Sequence, residues 1–131
     1  MEIVNVIAAA IASYAFGTVW YMTLANPWME AAGVAKSPDG RPENSSNPLP
    51  YILAFVAALL VAGMMRHIFE LSSIDTIGKG FVSGLGIGLF LASPWIMINN
   101  AFAGRPFRLM LIDGGYATFG CAIIGLVLTL F

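Results

Sequence analysis

The amino-acid sequence predicts an all-α integral membrane protein, with four transmembrane helices in an antiparallel bundle and a short interfacial helix in the first loop. Of its 131 residues, 59% are apolar and 10% are charged, whereas a soluble globular domain carries about 25% charged residues. Four stretches reach the length of about 20 apolar residues that crosses the hydrocarbon core of a bilayer. None of them alternates polar and apolar residues as a strand of a membrane β-barrel does.

The four predicted spans belong to one domain, residues 1–131. The first span has no charge, lacks the positively charged leading region of a signal peptide, and ends in Trp20 and Tyr21. We therefore expect a retained helix with aromatic residues at the interface. The uncharged part of the second span ends at Met65, and we expect Arg66 to extend to the interface. The predicted boundaries are about 3–25, 49–69, 77–99 and 106–131.

The third span has Lys79 near its beginning and a proline in its second half. Pro94 has no backbone N–H and leaves the carbonyl about four residues earlier, near Phe90, without its helical donor. We expect a kink there. The alternative is a broken helix that lines an ion path, but such paths usually bring polar side chains to the middle of the span, and Ser93 is the one polar residue adjacent to Pro94.

The loop after the first span contains the predicted interfacial helix. Asn26 is a favourable cap, Pro27 suits the first helical position, and Gly33 suits the position after the last. Trp28 and Met29 would lie on this short helix, which favours a location in the interface.

The distribution of basic residues predicts the orientation of this multi-pass protein in its membrane. The positive-inside rule places the loops with more Lys and Arg in the cytoplasm. The loops after spans one and three have four basic residues and the opposite side has two, so both termini are expected on the outer side of the membrane, which in a bacterial inner membrane is the periplasm. The two sets are Lys36, Arg41, Arg105 and Arg108 against Arg66 and Lys79. Asn44-Ser45-Ser46 matches a glycosylation acceptor, which we interpret as a chance match.

Small residues recur at four-residue spacing and predict how the helices pack. Helices in lipid associate through close van der Waals contact, which small residues permit. One interpretation is internal packing of the bundle. The other is that one seam, the glycine ladder of span three above all, faces another protein chain. The predicted packing positions are Gly80, Gly84 and Gly88 in span three, Gly17 in span one and Gly125 in span four.

Asp113 is the most informative polar residue. It lies roughly 10 Å below Pro106, and a carboxyl group at that depth must be paired, hydrogen-bonded or protonated. On an extended helix Arg105 lies about 80° away and Arg108 about 140°, which favours Arg105 as the partner. Asp113 is then either a structural anchor or a site for a proton or ligand. The predicted polar network comprises Asp113, Arg105, Arg108, Asn99, Asn100 and Tyr21.

Composition argues against several kinds of function. The net charge of -1 provides no basic surface for nucleic acid. One Cys and one His cannot form a zinc or iron–sulfur site, and no catalytic set of side chains is recognisable. His67 has Gly63 four residues before it, as a ligating imidazole often has, but it also adjoins Arg66 at a helix end, where a solvated His is common. We expect no metal, no cofactor and no enzymatic activity.

Several motifs resemble a known family. The Gly-Arg-Pro to Gly-Tyr run is the most specific of them, and together they resemble the bacterial membrane proteins catalogued as domain of unknown function seventeen sixty-one (DUF1761). The resemblance covers essentially the whole chain and implies a four-helix inner-membrane protein, without implying an activity or substrate. Members usually have Asn at the position of Asp113. The motifs are Gly17-x-x-Trp20-Tyr21, Trp28-Met29 with Gly33, and Asn99-x-x-Phe102-x-Gly104-Arg105-Pro106 continuing to Asp113-x-Gly115-Tyr116.

The functional hypothesis from the sequence is a small non-enzymatic membrane protein that contacts membrane lipids and other transmembrane chains or copies of itself. It would serve as an accessory or assembly subunit of a larger complex, or as a homo-oligomer. The alternative is a subunit of an oligomeric transporter or channel for ions or small molecules. An intramembrane enzyme that acts on lipid is a third possibility.

Overall fold

The computed structural model describes residues 3–43 and 45–131, so Asn44, whose glycosylation motif we interpret as a chance match, lies outside the described residues. The described chain is helical, with four segments long and apolar enough to cross a membrane, which confirms the four-span prediction. The antiparallel order of all four spans stays a prediction. The helices are α1 (Ile3–Thr23), α2 (Ala25–Ala32), α3 (Leu49–Leu71), α4 (Ile77–Ile87), α5 (Ser93–Phe102) and α6 (Phe107–Leu128).

The short helix α2 begins at Ala25, two residues before the predicted first helical residue Pro27, and without a side-chain cap. The Leu24 N–H donates to the Trp20 carbonyl and the Trp28 N–H donates to the Leu24 carbonyl, so the hydrogen-bond ladder of α1 nearly continues into α2. Asn26 is therefore a helical residue and not the cap. Gly33 ends α2 in the left-handed conformation, with φ 72°, as the sequence predicted. The location of α2 at the interface stays a prediction.

Helix α6 is the central helix of the fold and packs against all the other helices. The glycine ladder lies directly on it: a Cβ added to Gly80 would meet Gly125 and Thr129, one on Gly84 would meet Cys121, and one on Gly88 would meet Thr118. Residue numbers therefore rise along α4 as they fall along α6. The sequence left open whether the ladder packs inside the bundle or faces another chain. The ladder packs inside the bundle, because small residues of α6 in the same chain contact it.

The third span is interrupted by a π-helical turn, Gly88–Ala92. The Ser93 N–H donates to the Gly88 carbonyl, five residues back, instead of the usual four. Phe90, where the sequence predicted a disturbance from Pro94, lies inside this turn. The wider turn accommodates the missing N–H of Pro94, and α5 continues after it.

The buried apolar core lies at one end of the bundle, here named the core end, where α1 begins and where α3 and α6 finish. Phe69 and Leu128 are completely buried there. At the opposite end, named the polar end, the first half of α3 has no buried residue from Leu49 to Ala57. The core cluster comprises Val6, Ala9, Ala62, Met65, Phe69, Cys121, Ile124 and Leu128.

The loop between α2 and α3 contains a compact turn. The Ser37 N–H donates to the Arg41 carbonyl at 2.8 Å. Hydrogen bonds from the Ser37 hydroxyl and the Arg41 N–H hold the pKa of the exposed Asp39 carboxyl below its usual value. The Asp39 contribution to this turn is therefore present at neutral pH and is lost as the pH falls through the lowered pKa.

The turn between α3 and α4 contains a strained residue, which provides a test of the fold. Ser73 has φ 55°, a left-handed conformation that costs an L-residue about 1–2 kcal/mol and a glycine little. We expect Ser73→Gly to raise the free energy of unfolding in detergent by about 0.5–1 kcal/mol. The control is Ser72→Gly, since Ser72 has an ordinary φ of -102°. An equal effect of both substitutions would contradict the assigned turn.

Candidate functional site

Asp113 joins three helices at the polar end. The Tyr21 hydroxyl donates a hydrogen bond to Asp113 Oδ1 at 2.6 Å, and the Asn100 side chain also hydrogen-bonds the Asp113 carboxyl. Tyr21 lies near the end of α1, Asn100 near the end of α5, and Asp113 in the second turn of α6. One half-buried carboxyl group therefore holds three transmembrane segments together.

The turn between α5 and α6 positions Asn100 beside Asp113. The Arg105 N–H donates to the Asn100 carbonyl at 2.9 Å. Gly104 has φ 73°, a conformation that favours glycine and allows the chain to reverse within four residues. Helix α6 then begins at Phe107, and Asp113 faces back toward α5.

Neither arginine of the predicted network binds Asp113, so the predicted Arg105–Asp113 pair is wrong. Arg105 Nη1 donates to the Ala32 carbonyl at the end of α2, where carbonyls lack helical donors. Arg108 Nη2 pairs with Glu30 Oε2 at 3.3 Å. Both arginines therefore fasten α2 to the start of α6, and the exposed Arg108–Glu30 pair contributes little stability.

Asn99, the remaining member of the predicted network, is exposed on α5. Within the described residues its side chain forms no hydrogen bond. The structure therefore brings together Asp113, Tyr21 and Asn100 from the predicted set, and places Asn99 and the two arginines elsewhere.

An aromatic cluster surrounds Tyr21. Its ring contacts Tyr116 edge-on at 5.4 Å between ring centroids, and Trp28 edge-on at 6.0 Å. Gly17 leaves room for Tyr116, because a Cβ there would lie 2.7 Å from the Tyr116 ring. The packing role predicted for Gly17 is thus to admit an aromatic ring.

Trp20 makes a contact that the sequence did not predict. Trp20 Nε1 donates to the Ile112 carbonyl at 3.0 Å, and Gly115 leaves space for the Trp20 indole. The one sequence signal was the Gly114-Gly115 pair after Asp113, which marks a close approach of another segment. Trp20 therefore connects α1 to α6, in addition to its predicted location at the membrane interface.

A second polar cluster lies deeper in the span, beside the π-helical turn. The Ser93 and Thr118 hydroxyls each lie 2.8 Å from the Gly114 carbonyl and 2.9 Å from one another. Ser93 adjoins Pro94 in the sequence, whereas the contribution of Thr118 was not predicted. The Ser93-Pro94 pair indicated this cluster, because a proline in a membrane helix disturbs the backbone hydrogen bonds and nearby Ser and Thr side chains commonly form hydrogen bonds in their place.

The chemistry available at the polar end follows from these contacts. Asp113 accepts hydrogen bonds from two neutral donors, Tyr21 and Asn100. Such a group can anchor helices or bind a proton. Among the described residues, no three His, Cys, Asp or Glu side chains are close enough to hold a metal ion.

Comparison with known proteins identifies the family. No curated protein and no solved structure matches the chain. The family model described as a protein of unknown function (DUF1761) matches residues 4–129, which is almost the full length. The four membrane-spanning helices agree with the architecture expected from the earlier resemblance. The chain belongs to the DUF1761 family.

Proposed function

We propose that this chain is a non-enzymatic membrane protein that acts by binding other transmembrane chains, as an accessory or assembly subunit or as a homo-oligomer. The observation that carries this proposal is a cleft between α1 and α3, which contains a tyrosine hydroxyl that has no partner among the described residues. The cleft has a volume of about 450 Å³. It is lined by Tyr14, Tyr51, Ile52, Phe55 and Val56.

The cleft exists because α3 follows the bundle over only half of its length. Its second half packs into the core through Ala62, Met65 and Phe69. Its first half is linked to α1 by an edge-on contact between Tyr14 and Phe55, with ring centroids 5.9 Å apart. Helices in lipid are stabilised by packing on other helices, so an unpacked half-helix favours a helix from another chain.

The Tyr14 hydroxyl in the cleft requires a hydrogen-bond acceptor. It is the twelfth residue of α1, about 16 Å along the helix and so near the middle of the membrane. Within the described residues its hydroxyl has no hydrogen-bond partner. A phenol in hydrocarbon is costly without an acceptor. A partner helix that places a carbonyl or polar side chain in the cleft would supply one.

Photo-crosslinking in native membranes tests this proposal. A photoreactive phenylalanine analogue replaces Phe55 in the cleft, and the matched control replaces Phe90, which is 73% exposed in the π-helical turn of the third span. We expect a protein adduct, foreign or from a second copy, at position 55 and lipid adducts at position 90. Tyr14→Phe should lower the yield at position 55. Lipid adducts alone at both positions would contradict the proposal.

The alternative function is a subunit of an oligomeric transporter or channel. It is favoured by the hydroxyl pair of Ser93 and Thr118 beside the π-helical turn, since π turns often occur at functional sites. A closed ring of identical chains, with solute flux after reconstitution into liposomes, would support this alternative over the first proposal.

The expected orientation in the inner membrane can be tested with fusions. A phosphatase that is active only in the periplasm, fused after Phe131, is expected to be active, because the Lys and Arg bias places both termini there. A second fusion, in the loop at Gly40, should be inactive. A cytoplasmic reporter that works after Phe131 while the phosphatase fails would reverse the orientation.

A further inference from the structure

A groove at the core end is separate from the proposed partner cleft. It has a volume of about 460 Å³ and lies where the turn after α3 meets the first turns of α4. Its polar lining residues are Ser72, Ser73, Lys79 and Ser83, and its other lining residues are Ile74, Gly78 and Val82.

The side-chain polar groups in this groove have no hydrogen-bond or ion-pair partner in the described part of the chain. Within the described residues, the Lys79 ammonium and the Ser72, Ser73 and Ser83 hydroxyls form no hydrogen bond or ion pair. The Gly78 N–H, in the first turn of α4, also has no acceptor there. One cation and several neutral donors thus line one groove, which is the donor set that a phosphate group prefers.

The surrounding charges restrict the ligand to a low negative charge. Asp75 is exposed four residues before Lys79, and Glu70 is engaged by Arg66 at 3.1 Å. Lys79 is the one cation among the lining residues, and its single charge suits a phosphodiester with one negative charge better than inorganic phosphate with nearly two.

The groove also has the shape of a membrane ligand. Ser83 lies one helical turn further into the span than Lys79, about 6 Å deeper. Val82, 65% exposed, forms an apolar surface along the same path. A ligand here would place a polar head at the turn and continue along α4 into the hydrocarbon.

We propose that this groove binds the phosphodiester headgroup of a membrane phospholipid. Lys79 supplies the charge, the serine hydroxyls and the Gly78 N–H supply hydrogen bonds, and Val82 contacts the start of the acyl chains. Inorganic phosphate shares the phosphate chemistry but lacks the apolar part.

Native mass spectrometry tests this proposal by measuring how much added phospholipid binds to the full chain in detergent. The probes are phosphatidylglycerol and phosphatidylethanolamine. The double variant Lys79→Gln, Ser83→Ala should weaken lipid binding about tenfold, since it removes one charged and one neutral hydrogen-bond donor. The matched control, Lys36→Gln with Ser46→Ala, makes the same changes in the first loop and should bind lipid normally. Equal binding by both double variants would overturn the proposal.

A second variant tests the groove independently, in case the double variant loses lipid because it misfolds. A Cβ added to Gly78 meets no described residue within 4 Å, so Gly78→Leu should fill the groove, keep the melting temperature, and lose the lipid. Retention of lipid by this variant would overturn the site. Inorganic phosphate at matched ionic strength is expected to leave the bound lipid in place. Its displacement by phosphate alone would show a soluble anion site and overturn the lipid assignment.

Discussion

Gly84→Leu is expected to lower the free energy of unfolding by about 3 kcal/mol, the upper end of the usual cost of overpacking. A Cβ at Gly84 would clash with the Cys121 carbonyl and lie 3.1 Å from the Ala122 Cα, both of them backbone atoms of α6. Backbone cannot move aside as a flexible side chain can, so α4 and α6 must separate. Thermal unfolding in a single detergent measures the effect.

Gly86→Leu is the matched control for this substitution. Gly86 lies two residues along the same helix, and a Cβ there meets nothing within 4 Å. Leucine improves helix propensity by about 1 kcal/mol at either position, so the difference between the variants isolates the packing term. Equal stabilities would show that the α4–α6 contact is not as close as described.

Asp113→Leu is expected to destabilise the protein by about 1–3 kcal/mol for each donor left unsatisfied. The donors are the Tyr21 hydroxyl and the Asn100 side chain, so two helices lose their link to α6. Asp113→Asn keeps an acceptor oxygen in place and should largely preserve folding. Thermal stability and retention of co-purifying chains, measured for both variants in one detergent, test this expectation.

The same pair of variants separates an anchor from a proton site. An anchor predicts a folded Asn variant that keeps its partner and a Leu variant that loses both. A proton-binding role predicts that both variants fold and that both lose function. Equal folding of the two variants would therefore argue against Asp113 as an anchor.

The helices were predictable because each depends on local composition. A run of about 20 apolar residues in water-free surroundings must satisfy its backbone internally, which dictates a helix. The close contact at the glycine ladder was also predictable, because the small size and the four-residue spacing of the glycines are visible in the sequence. Its partner was not, because small residues on α6 and on another chain present the same surface to Gly84.

The partner of Asp113 was not predictable from helical geometry. The angle assigned to Arg105 assumed that α6 extends back to that residue. Pro106 instead has an extended conformation, with ψ 154°, so Arg105 lies outside the helix and its side chain goes to Ala32. Contacts to backbone carbonyls, such as that of Trp20 with Ile112, leave little trace in sequence because every residue offers a carbonyl.

The mass of the protein extracted from its native membrane in mild detergent tests the proposed binding of transmembrane chains most directly. A single chain has a mass of 13.9 kDa. We expect a larger complex that contains either a second transmembrane protein or a second copy, and we expect Tyr14→Phe to weaken it while the chain stays folded. A mass that corresponds to one chain with bound lipid and detergent, unchanged by Tyr14→Phe, would contradict this function.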